Sequence, residues 1–171
     1  MATARTLALS AALLAASASA EEIYFTTGFA HGSFDATAPA GCTLNATSAS
    51  ATGGSLGVGY RFSDPLAIEF GYLTLGSLDI NGLCGVTPFT LTGPDSGLIA
   101  SGVGRLTLSH GWALLGRAGF YSWSAAAQSG TEAVLGVGAE YEWTRGWAAR
   151  LEYSTLGADL TAIALTVRIG F

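Results

Sequence analysis

The sequence has no lysine and few charged side chains of any kind. All seven basic residues are arginines, and charged residues occupy 11% of the 171 positions. Soluble domains carry about 25% charged residues, so this is not the composition of an ordinary water-exposed surface. Setting aside Arg5, which lies in the N-terminal leader described below, leaves six arginines against twelve acidic residues, a net charge of −6. That balance argues against nucleic acid as a partner, because binding its phosphates requires clustered cations.

Long apolar runs are also absent, although half of the residues are hydrophobic and the mean hydropathy is +0.44. A helix that crosses a membrane needs about 20 consecutive apolar residues, and no run of 18 occurs. The chain is nevertheless rich in glycine, with 24 residues. High apolarity divided into short stretches predicts many short strands within a single domain.

The first 20 residues have the features of a secretory signal peptide. Arg5 precedes an apolar stretch at 7–16, and Ala18-Ser19-Ala20 forms a small-residue cleavage site. We therefore assign 1–20 to a leader and 21–171 to the folded domain.

Cysteine and histidine are scarce. Cys42 and Cys84 are the only cysteines, and in an exported protein we expect them to form a disulfide, with two free thiols as the alternative. His31 and His110 are the only histidines and show no ligand spacing, so we expect no metal site and no cofactor.

The stretch 133–155 carries the clearest structural pattern. Apolar and polar or glycine residues alternate on both sides of Thr144-Arg145-Gly146, which predicts a β-hairpin with Gly146 in the left-handed conformation. This register places Glu140 opposite Arg150. The polar row contains only small residues and paired charges, which suit a narrow interior. The bulky row, which includes Trp143 and Trp147, then faces lipid as in a transmembrane β-barrel.

The same alternation recurs along the chain and predicts eight strands. Their approximate ranges are 23–34, 55–62, 66–75, 97–108, 112–123, 133–143, 147–156 and 161–171. The predicted fold is therefore all-β, an eight-stranded antiparallel up-and-down transmembrane β-barrel. Short turns at Asp64, His110 and Arg145 alternate with longer connections at 35–54, 76–96 and 124–131. A soluble lipocalin-like barrel is the alternative, but the absence of lysine argues against it. The facing of the first strand stays open.

Several segments resemble the OmpA-type outer-membrane β-barrel family. They are A-I-E-F-G-Y (67–72), G-A-E-Y (138–141), A-A-R-L-E-Y (148–153) and the closing I-G-F. The resemblance covers 21–171 and implies a bacterial outer-membrane location. The sequence departs from OmpA itself, because we expect a barrel alone with no peptidoglycan-binding domain. The resemblance also implies ion pairs in the lumen, at Glu69, Arg105, Arg117, Glu140, Arg150 and Glu152. The terminal Phe171 resembles the signal read by the outer-membrane assembly machinery.

We expect a non-enzymatic barrel with a structural, envelope or surface-contact role, and at most a narrow pore, because side chains fill an eight-stranded lumen. The expected partners are outer-membrane lipid, lipopolysaccharide and the assembly machinery, and we expect a monomer. One alternative is a lipid A acyltransferase or deacylase that uses His31 with a neighbouring serine at the rim. Another is an adhesin that presents disulfide-tethered extracellular loops.

The leader assignment predicts that the mature protein begins at Glu21. Mass spectrometry of protein extracted from the outer membrane should give an N-terminal peptide that starts there. A mature protein that retains residues 7–16 would show that the apolar stretch is not a cleaved leader.

Overall fold

The computed structural model describes residues 22–125 and 128–171, so the predicted leader at 1–20 lies outside the described residues. The described parts contain eleven strands. They are β1 (Glu22–Asp35), β2 (Cys42–Leu44), β3 (Ser48–Ser63), β4 (Leu66–Thr74), β5 (Asp79–Cys84), β6 (Thr87–Thr92), β7 (Ser96–Thr107), β8 (Trp112–Ala125), β9 (Gln128–Thr144), β10 (Trp147–Leu156) and β11 (Leu160–Gly170). No helix in these ranges is long and apolar enough to cross a membrane.

Eight of the strands form one closed antiparallel barrel in the order β1-β11-β10-β9-β8-β7-β4-β3. The first and last strands of the barrel pair along their length, from Tyr24 opposite Gly170 to Phe34 opposite Leu160. Closure leaves no open edge in the wall. Every strand can therefore satisfy its backbone hydrogen bonds within the protein, as a bilayer requires.

The outer face of the barrel is apolar, and its inner face is small or charged. Large hydrophobic side chains such as Phe29, Phe70 and Leu135 are more than half exposed on the outside. Because side chains alternate along a strand, the neighbours of these residues point into the lumen. Trp112, Trp143 and Trp147 lie on the outside beside the short turns, where an aromatic girdle is expected.

The hairpin of β9 and β10 has the predicted register. Glu140 lies opposite Arg150, and Gly146 has a φ of +84° in the turn. The register shifts between Trp147, which pairs with Thr144, and Ala148, which pairs with Glu142. Trp143 therefore has no partner in this register and forms a β-bulge. A bulge increases the local twist of the strand.

The facing of β1, left open by the sequence, is settled by Tyr24. Its side chain is buried in the lumen, whereas Ile23 and Phe25 are exposed on the outside. The tyrosine ring lies over Gly59 of β3, where a Cβ atom would come within 2.1 Å of the ring.

Two segments predicted as loops are strands. Residues 48–54 belong to β3, residues 124–125 belong to β8, and residues 128–131 belong to β9. The outward residues of these segments are Ser48, Ser50 and Thr52 in the first, and Ser124, Ser129 and Thr131 in the second. Both segments therefore lack the bulky outer row that marks the rest of the wall. The strands continue because the backbone ladder continues, with Thr52 opposite His31 and Ser129 opposite Ser124.

The connection predicted at 76–96 contains a hairpin of β5 and β6. Together with β2 these strands form a separate three-stranded sheet at the end of the barrel opposite the short turns, which we call the loop end. Cys42 and Cys84 are cross-strand partners in this sheet and form the predicted disulfide. The bond joins β2, which lies in the connection between β1 and β3, to β5, which lies in the connection between β4 and β7. The small sheet is therefore linked covalently to the barrel through both connections.

Reduction should loosen this sheet and leave the barrel closed. Cys42 and Cys84 are 42 residues apart, and closing a loop of that size restricts the unfolded chain by about 4 kcal/mol in the chain-entropy estimate. We expect protease to cut within 36–47 or 85–86 only after reduction, while heat-dependent gel migration of the barrel stays unchanged. A Cys42→Ser/Cys84→Ser double variant that resists protease as well as the oxidised protein does would contradict a stabilising role for the bond.

Candidate functional site: the charged lumen

Ten charged side chains form one network inside the barrel. Five are arginines and five are glutamates, so the formal charge of the network is zero. Its members are Glu22, Arg61, Glu69, Arg105, Arg117, Glu140, Glu142, Arg150, Glu152 and Arg168. Neutrality matters here, because an unpaired charge in a confined lumen is costly.

Arg150 lies at the centre of the network. Its guanidinium donates to Glu69 at 2.6 Å and to Glu140 at 3.0 Å. Glu69 also accepts a hydrogen bond from Arg117 at 2.5 Å and one from the Tyr24 hydroxyl at 2.6 Å. These groups come from five strands, so the contacts join opposite parts of the wall across the lumen.

Arg117 extends the network towards the loop end. Its Nε donates to Glu152 at 2.6 Å, and its Nη1 donates to the Ser101 hydroxyl at 2.6 Å. Glu152 accepts a further hydrogen bond from Ser154 at 2.8 Å.

Arg168 extends the network towards the short turns. It donates to Glu22 and Glu142 at 2.8 Å each, and its Nε lies 3.3 Å from Glu140. Glu22 in turn accepts from Arg61 at 2.6 Å. Arg168 and Glu140 are both fully buried, and each lies between partners of opposite charge.

The structure brings all six sequence-predicted lumen residues into this one network. Sequence reasoning missed its remaining members, Glu22, Arg61, Glu142 and Arg168. Three of them lie on the inward row of an alternating strand, which was a usable signal. Glu22 had no such sequence signal, because the alternation of the first strand did not show which row faces inward. Its partner Arg168 is also 146 residues away along the chain.

The lumen changes character towards the loop end. We call the buried cluster there the apolar plug, made of Ala30, Leu73, Leu75, Leu78, Tyr121, Val134, Leu156, Leu160 and Ala162. Between the plug and the network lies a cavity of about 80 Å³, bordered by Glu69, Arg117, Arg150, Leu73 and Leu156. That volume has room for about five water molecules. The described part of the lumen is thus filled at two levels.

The rim residues considered for catalysis, His31 and a neighbouring serine, lie on the outward row of β1. His31 is exposed on the outer wall, and its Nδ1 lies 2.9 Å from the Thr52 hydroxyl. Ser33 shares this outer face and pairs in register with Ser50. Within the described residues, no three histidine, cysteine, aspartate or glutamate side chains come together as a metal site.

The predicted assembly residue Phe171 lies on the outer surface and is 81% exposed. Its ring meets that of Phe25 edge to face, with the centroids 5.9 Å apart. Recognition by the assembly machinery stays a prediction.

A closed barrel with an apolar exterior and a charged interior suits a lipid bilayer, and the sequence matches a family with that description. The model of the outer membrane protein beta-barrel domain matches residues 5–169. The chain belongs to this family. The predicted fold class and the predicted location in the bacterial outer membrane are confirmed. None of the curated proteins has a sequence that matches this chain.

Solved structures with this fold share little sequence with the barrel. The outer membrane protein OprG from Pseudomonas aeruginosa is 13% identical, with a TM-score of 0.56 over 88% of this chain and 94% of that one. The N-terminal barrel domain of OprF from the same species is 16% identical, with a TM-score of 0.51 over 88% and 98%. A transmembrane barrel designed de novo is 14% identical, with a TM-score of 0.52 over 86% and 95%. Likeness at this level shows the fold alone.

Removing one member of the buried network should destabilise the barrel far more than removing an exposed arginine. Arg150→Ala leaves Glu69 and Glu140 without their shared partner, and we expect a loss of about 3–5 kcal/mol in the free energy of unfolding. Arg145→Ala, in an exposed turn, is the matched control and should change stability by less than about 0.5 kcal/mol. Urea unfolding of the protein refolded in lipid measures both.

The double variant Glu140→Ala/Arg150→Ala tests whether the charges are coupled. It removes one charge of each sign and keeps the remaining eight in balance, so it should recover part of the summed single-variant losses. Losses that simply add would mean that the two side chains do not interact in the folded barrel.

Proposed function

We propose that this protein is a closed, non-enzymatic outer-membrane scaffold that holds a disulfide-linked sheet at the cell surface for contact with other molecules. The observation that carries the proposal is the filling of the lumen at two separate levels. A conducting path would have to pass both the charged network and the apolar plug. The charged network and the apolar plug each narrow the lumen. Because one is charged and the other is apolar, a solute that suits one of them is not suited to the other.

The charged network favours a structural role. Its ten charges satisfy one another through side chains from strands all around the barrel, and such cross-lumen contacts hold the wall together. A transport site would leave part of its charge available to a solute. Here Glu69 and Arg150 already use their oxygens and nitrogens on protein partners.

The three-stranded sheet favours surface contact. Membrane barrels of this kind place their short turns in the periplasm and their long connections outside the cell, which puts β2, β5 and β6 at the surface. Val86, at the tip of the β5–β6 hairpin, is 94% exposed, and Leu83 is 42% exposed. These two apolar side chains and the disulfide give the sheet a covalently fixed, partly apolar tip, which supports a role in contact with another molecule.

Single-channel recording tests the closed scaffold. The refolded barrel in a planar bilayer should give no discrete conductance steps, because charged side chains and plug residues occupy the lumen. A conducting porin in the same bilayer is the positive control. Reproducible steps that scale with the amount of inserted protein would overturn the scaffold role.

A hairpin variant tests the surface role with the same protein. Replacing 79–92 by a short glycine-asparagine turn, together with Cys42→Ser, removes the sheet without touching the wall. We expect normal heat-dependent gel migration and reduced attachment of the bacteria to surfaces or cells. Unchanged attachment by a correctly inserted variant would contradict the surface-contact role.

A further inference from the structure

The outward side chains change chemistry at one level of the barrel, on all eight strands of the wall. Below this level they are almost all aliphatic, aromatic, alanine or glycine. Above it, the first outward side chain is a hydroxyl or a histidine. We call these eight residues the hydroxyl collar: His31, Thr52, Thr74, Ser96, Ser122, Thr131, Thr155 and Thr161.

The register groups the collar residues into pairs around the barrel. Its members form four cross-strand pairs, each joining two neighbouring strands, and together the pairs involve all eight. The pairs are His31 with Thr52, Thr74 with Ser96, Ser122 with Thr131, and Thr155 with Thr161. Two of them also lie within hydrogen-bond distance, at 2.9 Å for His31 with Thr52 and 3.4 Å for Thr131 with Ser122.

The position of the collar follows from the thickness of the apolar band. On β9 the outward apolar side chains run from Trp143, beside a short turn, to Ala133. Ten residues of a tilted strand span about 25 Å along the barrel axis, which is the height of the lipid-facing band of such barrels. Thr131 is the next outward residue. The collar therefore begins where the hydrocarbon of the outer leaflet ends.

The collar contains no arginine or lysine, and His31 is its one basic side chain. Phosphates attract arginine and lysine, and the one arginine of the described chain that lies outside the lumen network is Arg145, at the opposite end of the barrel. On β1, β3, β8 and β9 the next outward residue beyond the collar is again a serine, and these second-row residues are Ser33, Ser50, Ser124 and Ser129. Hydroxyls both donate and accept hydrogen bonds, which matches the hydroxyl and amide groups of sugars. The small outer sheet differs from the collar, because its exposed side chains include a carboxylate and an amide, at Asp79 and Asn81.

We propose that the hydroxyl collar binds the sugar head groups of outer-leaflet glycolipid by hydrogen bonds and without phosphate contacts. The apolar band continues directly into the collar, so a glycolipid whose acyl chains pack on the band presents its first sugars at the level of the collar. The inference is independent of what the outer sheet binds and of whether the lumen conducts.

The experiment titrates the full barrel, refolded in neutral detergent, with lipid A from which the phosphates have been removed. Amide NMR on the wild-type protein follows the binding. We expect saturable shifts at the collar and second-row residues, with few shifts in β2, β5 and β6. Phosphorylated lipid A should bind within about twofold of the same apparent Kd, and phosphatidylglycerol should give no saturable shifts at the collar.

A collar variant and a matched control quantify the hydrogen bonds. The collar variant carries Thr52→Val, Thr74→Val, Thr131→Val and Thr161→Val, one change in each pair. The control carries Thr43→Val, Thr47→Val, Thr87→Val and Thr92→Val, exposed threonines away from the wall. Valine keeps the shape and the strand preference of threonine. We expect the apparent Kd for dephosphorylated lipid A to rise about tenfold or more in the collar variant and to stay unchanged in the control.

Three results would overturn the proposal. The first is binding that needs the phosphates, the second is an equal Kd for the collar variant and the wild type, and the third is the absence of saturable collar shifts in the wild type. The wild-type shift map decides the question even if the collar variant does not refold.

Discussion

Hydrocarbon offers no hydrogen bonds to a peptide backbone, and the rest of this structure depends on that constraint. Every N–H and C=O group within the membrane must find a partner inside the protein. The pairing of β1 with β11 meets this requirement by closing the sheet. Closure then divides each strand into two rows of side chains, one facing lipid and one facing a lumen of fixed and small diameter.

The narrow lumen determines which residues can line it. Large inward groups need space, which glycine provides: Tyr24 lies over Gly59, and Tyr121 lies over Gly97. Charged groups also need partners, and the network supplies them with five arginines and five glutamates from all eight strands of the wall. Tyr24 contributes to both requirements, because its ring fills the space above Gly59 while its hydroxyl binds Glu69. The scarcity of charge in the sequence thus reflects how few charges such a lumen can pair.

Period-2 alternation predicted the parts of the fold where the two rows differ most. Glu140 and Arg150 could be placed opposite each other because bulky residues flank both and a glycine turn fixes the register. The signal disappears where the outer row becomes serine and threonine, as at 48–54, and those strand ends were predicted as loops. The small sheet was missed for a related reason, since β2 has only three residues and β6 contains Pro88. The link between Glu22 and Arg168 depends on barrel closure, which no local pattern reports.

The lumen becomes apolar close to the level at which the outer wall changes from apolar to hydroxyl side chains. Leu73, Tyr121 and Leu156 of the apolar plug are direct neighbours in sequence of the collar residues Thr74, Ser122 and Thr155. The plug spans the level of the collar, and nearer the short turns the barrel is apolar outside and charged inside, as lipid requires. Above the collar the barrel is polar outside and apolar inside, as in a protein surrounded by water or sugars. The chain therefore inverts its polarity within one continuous set of strands, and the plane of inversion marks the edge of the hydrocarbon. A plug at this plane is stabilised by the burial of its own apolar side chains in the lumen.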